Sequence, residues 1–195
     1  MKRFLFAGTN AAMAALVLIP LFFFLNRTIR NKQRTAWYCL TAIYLSGVYA
    51  VVGVPTIGFI RFAPNINLEP FAYMFSDFTN SFLNVILFVP LGFLLPLLWS
   101  RFKNPLRATL FGLLFSVGIE VLQLFTLRAT DINDLMTNTL GAFVGWIIGR
   151  IAVNFLHIPG EPGRKRDIYQ IIAIAFGVMF FLQPVIEMLT WRLFV

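Results

Sequence analysis

At 195 residues, 59% hydrophobic and only 12% charged, with a mean hydropathy of +0.80, the chain carries more apolar surface than one small core can bury. A soluble domain would have roughly 25% charged residues, so a soluble globule is excluded and lipid is the solvent. The net charge of +8 would point to nucleic acid in a soluble protein, but here it reads as a topology signal with no nucleic-acid partner. The lone Cys39 excludes an intramolecular disulfide and a cysteine metal cluster.

The expected fold is all-α, a polytopic membrane helical bundle in a single domain over residues 1–195. A span needs about 20 apolar residues. Segments 4–25, 36–56, 78–100, 106–126, 135–156 and 168–190 qualify, giving about six transmembrane helices. The first begins with Lys2-Arg3 like a signal peptide, but it is long and lacks a small-residue cleavage site, so it reads as a retained helix.

The connections alternate in charge. Arg27, Arg30, Lys32 and Arg34 follow the first span, Arg101, Lys103 and Arg107 the third, and Arg150, Arg164, Lys165 and Arg166 the fifth. Placing these basic loops in the cytoplasm assigns eleven Lys/Arg to that side and five to the other. Both termini are then expected outside, as is the short connection 127–134. The long outer loop 57–77 mixes Pro64, Asn65, Asn67 and Pro70 with Phe59, Phe62, Phe71, Tyr73, Met74 and Phe75, which suits an aromatic lid at headgroup level. The Pro/Gly-rich stretch 157–166, with the lone His157, sets the last span apart as an appendage on a five-helix body.

Polar residues crowd into residues 120–149. Glu120 and Gln123 are three apart and share a helix face, and Asp131, Asp134, Asn138, Gly141 and Gly145 follow helical spacing. A turn centred near Ala129 would level Glu120 with Asn138 and Gln123 with Asp134. The glycine stripe 141/145/149 permits close packing of another helix, expected to be that of the hairpin. On the third span Asp77 stands at the outer end, Asn84 lies two turns in, and Pro90 removes a backbone hydrogen bond. Each residue also has a plainer reading. Asp131 or Asp134 can cap the fifth helix, Asn84 and Asn138 can join helices, and Arg128 can snorkel. Glu120 is hardest to dismiss, because a carboxylate inside the membrane must be paired or protonated. Glu187 is a second acid in an apolar span, without polar neighbours in sequence.

The series Asp77, Asn84-xxx-Phe88-x-Pro90-x-Gly92, Glu120-xx-Gln123, Arg128-xx-Asp131-xx-Asp134, Asn138 and Gly141-xxx-Gly145 resembles the VanZ-like family of bacterial membrane proteins over residues 77–149. The resemblance implies a bacterial cell-membrane protein of four to six helices with a cell-envelope role. Some members give resistance to teicoplanin-type glycopeptides, which makes such an antibiotic an expected partner. It does not supply a reaction.

Three functions are consistent with this cluster. It can bind or remodel a membrane lipid or lipid-linked cell-wall precursor at the outer leaflet, with Arg128 at phosphate, Asp131, Asp134 and the amides of Asn84, Gln123 and Asn138 at sugar or amine groups, and Asp77 also in the binding set. It can be an enzyme on lipid headgroups, with Glu120, Asp131 and Asp134 as acid/base groups or ligands of a divalent cation; no Cys or His nucleophile accompanies them. A lipid transporter or flippase with Glu120 as proton relay is the third, disfavoured because the cytoplasmic halves of these helices are apolar.

Overall fold

The computed structural model describes residues 2–29, 31–55, 62, 64–71, 77–126, 128–155 and 166–194. It is all-α apart from two strands of two residues each. Five helices among these residues are long and apolar enough to cross a membrane. The first expected span, helical over 28 residues, accounts for the sixth segment. The chain is a multi-pass membrane protein. Much of the expected aromatic loop (Phe59, Tyr73, Met74 and Phe75), the linker with His157, and the side chain of Glu187 lie outside the described residues.

The chain forms two compact units, one of Met1–Gly53 with Ile168–Val195, the other of Val54–Asp167. The first contains α1 (Lys2–Ile29) and α2 (Lys32–Val52). Asn31 caps α2 by accepting from Arg34 N at 3.0 Å, and Gly53, left-handed at φ 67°, closes it. The last span is α6 (Arg166–Gly177), a π-helical turn Val178–Leu182, and α7 (Gln183–Phe194). Expected as an appendage, it is instead tied to α2. Tyr38 Oη donates to Gln170 Oε1 (3.2 Å), Ser46 Oγ to Gln183 Oε1 (2.9 Å) and Tyr49 Oη to the Ala175 carbonyl (3.1 Å). Polar groups on apolar helices find partners this way because lipid offers none.

The second unit holds α3 (Phe78–Leu98), α4 (Pro105–Gln123) and α5 (Ile132–Phe155). The minimal strands β1 (Ile66–Asn67) and β2 (Thr130–Asp131) pair in parallel. Side chains sort by solvent. On α4, Leu106, Leu110, Leu114, Val117 and Val121 form an exposed apolar stripe, while Ala108, Gly112, Ser116, Ile119, Glu120 and Gln123 face inward. Both rows follow helical spacing, so α4 turns its polar side away from lipid.

The glycine stripe of α5 packs on α3, not on the hairpin partner α4 as expected. A β-carbon at Gly141 would strike the Val85 carbonyl oxygen, one at Gly145 that of Val89, and one at Gly149 that of Phe93. Gly92 of α3 answers from the other side against Ala142. Backbone lies on backbone along about three turns, a separation that only glycine allows. Helix α4 meets α5 more loosely, with Gly112 accommodating the Ala142 methyl.

Candidate functional site

The start of α5 organises the polar end of this unit. Asp131 stands where a capping residue is required, and its Oδ1 accepts from the Asn133 backbone N–H at 2.8 Å and from Asn133 Nδ2 at 2.9 Å. Its Oδ2 accepts from Asn67 Nδ2 at 3.2 Å, so the carboxylate also fastens β1. The pairing is reinforced by Thr130 N donating to the Asn65 carbonyl (2.8 Å).

Glu120, only 7% exposed, reaches across from the last turn of α4. Its Oε2 accepts from the Asp131 backbone N–H at 3.0 Å, and its carbonyl accepts from Thr130 Oγ1 at 3.2 Å. A buried carboxylate thus takes up an N–H that the beginning of α5 leaves without an intrahelical partner. Gln123, also buried, ends α4, and its carbonyl accepts from Thr126 N and Oγ1, both at 3.0 Å.

Asn133 was not singled out from sequence, yet it is a buried hub. Its Oδ1 accepts from Phe71 N at 2.6 Å and its Nδ2 donates to the Glu69 carbonyl at 3.2 Å. Phe71 is held left-handed at φ 63°, a conformation that a bulky residue adopts only when its surroundings enforce it. Phe62 lies 5.6 Å from Phe125, which brings a second aromatic of the α2–α3 connection onto the segment after α4.

On the other side, Asn84 of α3 donates through Nδ2 to Asp134 Oδ1 at 2.7 Å, bringing the third helix to the cluster. Asp77 caps α3, accepting from Asn80 N (3.4 Å) and Asn80 Nδ2 (3.0 Å), and its side chain is exposed. Charge links these groups beyond their hydrogen bonds. Arg128, Asp131 and Asp134 all act electrostatically on Glu120, and Arg128, Asp131 and Asp77 on Asp134. Among the described residues no group of three or more His, Cys, Asp or Glu is arranged to hold a metal ion.

One depth relation differs from expectation. Asn138 is not level with Glu120 but donates through Nδ2 to Ser116 Oγ at 3.0 Å, a turn deeper. Helix α4 ends at Gln123 and α5 begins at Ile132, so the hairpin is not symmetric about Ala129. Asn138 Oδ1 is buried without a hydrogen-bond partner among the described residues.

Asp77, Asn84, Glu120, Gln123, Arg128, Asp131, Asp134 and Asn138 all lie in one unit, on its three helices and the segments that flank them. A model of the VanZ/LLP1 family matches residues 13–153, well over half of the chain. The chain belongs to the VanZ-like family. Protein VanZ of Enterococcus faecium is 38% identical over 118 residues, which cover 60% of this chain and 71% of that protein. No solved structure matches.

Within this VanZ-like unit the acids divide by surroundings. Glu120 through Oε2, and Asp131 through both carboxylate oxygens, accept from backbone and amide donors that shape the α4–α5 connection. Asp134 is joined to α3 through Asn84, and the Arg128 charge acts on it. Residues not assigned to the site from sequence, namely Asn133, Asn67, Thr130 and Ser116, are scaffold as well. Of these only Asn133 carried a local signal, because Asp-x-Asn is a frequent capping pattern.

Proposed function

We propose that this VanZ-like protein binds a membrane lipid or lipid-linked cell-wall precursor at the outer leaflet and thereby gives resistance to teicoplanin-type glycopeptides. The observation that carries this reading is the Asn84–Asp134 bond with the Arg128 charge acting on Asp134, braced by the Glu120–Asp131 connection. A guanidinium suits a phosphate, and the carboxylate and amide suit sugar hydroxyls or an amine. Glu120 and Asp131 accept hydrogen bonds from the α4–α5 connection and β1, which supports a bracing role for them beside Asp134. The outward orientation rests on the basic loops 27–34, 101–107 and 150–166, which the positive-inside rule assigns to the cytoplasm.

Arg128→Ala and Asp134→Asn, each removing one charged hydrogen-bonding group, are expected to weaken binding of a short-chain lipid pyrophosphate by roughly 10- to 100-fold. Teicoplanin susceptibility of a host expressing either variant should return to that of a host with empty vector. Unchanged affinity and unchanged susceptibility in both variants overturn the proposal. Orientation has its own check in a Cys39→Ala background. Asn80→Cys should react with an impermeant maleimide on whole cells, and Lys32→Cys, also exposed on the molecule, should react only after the membrane is opened. The reverse pattern would place the site on the cytoplasmic side.

A further inference from the structure

The unit built from α1, α2 and the last span contains a crevice that plays no part in the reading above. Its volume is about 560 Å³, within the roughly 300–1,000 Å³ usual for ligand sites. Its wall on the last span extends from Gln170 to Val185, roughly 22 Å at ~1.5 Å per residue. One leaflet of the hydrocarbon core is about 15 Å deep, so the wall is longer than a leaflet and can take an acyl chain along its length. It exists because the residues beside it are small. Ala42, Ala173 and Gly177 line it, and a β-carbon built at Gly177 meets no atom within 4 Å. The π-helical turn begins at the next residue, and such turns inside helices frequently accompany binding sites.

The polarity of the crevice is one-ended. Tyr38 and Gln170, hydrogen-bonded at 3.2 Å, form its polar end, and the wall beyond them, through Ile174 and Phe181 to Val185, is apolar. Arg34 Nε donates to Tyr38 Oη at 2.8 Å, with the guanidinium carbon 5.6 Å from the ring centre. Arg27 and Lys32 are exposed close by in sequence, and no acid lies between residues 26 and 35. A basic residue beside the polar end of a long apolar crevice complements an amphiphile with an anionic head and an extended chain. We propose that the crevice holds one acyl chain of an anionic phospholipid, with the phosphate at Arg34. The family match, residues 13–153, takes in the crevice walls from α1 and α2 but not the last span that completes it.

The test uses the full chain in nanodiscs of phosphatidylcholine with a minor share of phosphatidylglycerol bearing a diazirine on its acyl chain. After irradiation, adducts are mapped by mass spectrometry. They should concentrate on peptides carrying Ala173 to Val185, above those carrying the lipid-facing Leu110 and Leu114. Gly177→Leu should lower crevice adducts about tenfold without changing those at Leu110 and Leu114. Ala173→Leu serves the same purpose if Gly177→Leu does not elute as a monodisperse species. Arg34→Gln should leave the adduct position unchanged but abolish the preference for phosphatidylglycerol over an equivalent phosphatidylcholine probe. Uniform labelling of all lipid-facing helices, or insensitivity to both filling variants, would each overturn the proposal.

Discussion

Gly145→Val is expected to abolish recovery of folded protein. The new side chain would be driven into the Val89 carbonyl, with Phe93 N only 3.0 Å away, and neither backbone atom can give. Overpacking an ordinary core costs about 1–3 kcal/mol, and here α3 and α5 must separate, so the loss should exceed about 3 kcal/mol. The same separation would draw Asn84 off Asp134, whose 2.7 Å bond spans those two helices. Gly118→Ala is the matching control. A β-carbon there meets nothing within 4 Å, and the gain in helix propensity should leave stability within about 1 kcal/mol of the parent. Fluorescence-detected size exclusion after graded heating separates the two: no monodisperse peak for Gly145→Val, a peak like the parent's for Gly118→Ala. Equal behaviour of the two variants means that α3 and α5 do not approach as closely as described.

Asn133→Ala should release the segment 64–71 from the α5 terminus. The substitution strips the partner from Phe71 N–H and from the Glu69 carbonyl, and removes one of the donors to Asp131 Oδ1. Leaving backbone groups unsatisfied costs about 1–3 kcal/mol each when they are buried. Partial access to water brings the expected total to roughly 2–4 kcal/mol. Phe71 also loses the bond that holds it at φ 63°, so its backbone can relax by about 1–3 kcal/mol in the detached segment. Hydrogen exchange at residues 64–71 should accelerate strongly, and protease cleavage should appear there, while the α3–α5 contact stays protected. Asn133→Asp keeps an acceptor for Phe71 N–H but sets a second carboxylate beside Asp131, and should be no better than Asn133→Ala. Exchange unchanged from the parent in both variants removes Asn133 from its role as hub.

These two sites differ in how readable they were. The glycines at 141, 145 and 149 announce close packing by their spacing alone, because small residues one helical turn apart expose backbone whatever lies opposite. What lies opposite is not in the spacing, and the adjacent hairpin helix α4 was the natural expectation. The partner is α3, since Gly92 and the carbonyls of Val85 and Val89 supply a complementary surface, while α4 presents Ser116 and Gly112. Asn133 shows the opposite case. One asparagine among several polar residues gives little sign of becoming the buried centre of a loop 62 residues away in the chain. Asp131 lies between these extremes, because acids favour helix starts and a capping role could be read from its position.

Hydropathy and charge are local, additive properties, so the sequence by itself determined that this is a multi-pass helical membrane protein. It also located the polar cluster at residues 77–138, because groups that lipid cannot satisfy stand out against an apolar chain. Hydrogen-bond partners depend on where each helix stops and how the connecting backbone folds, which no linear spacing encodes. Only the tertiary structure therefore decided that Glu120 serves the Asp131 N–H, that Asn138 descends to Ser116, and that Asn84 meets Asp134. It also decided that the last span belongs with α1 and α2, because its polar side chains found their partners on α2 rather than in lipid.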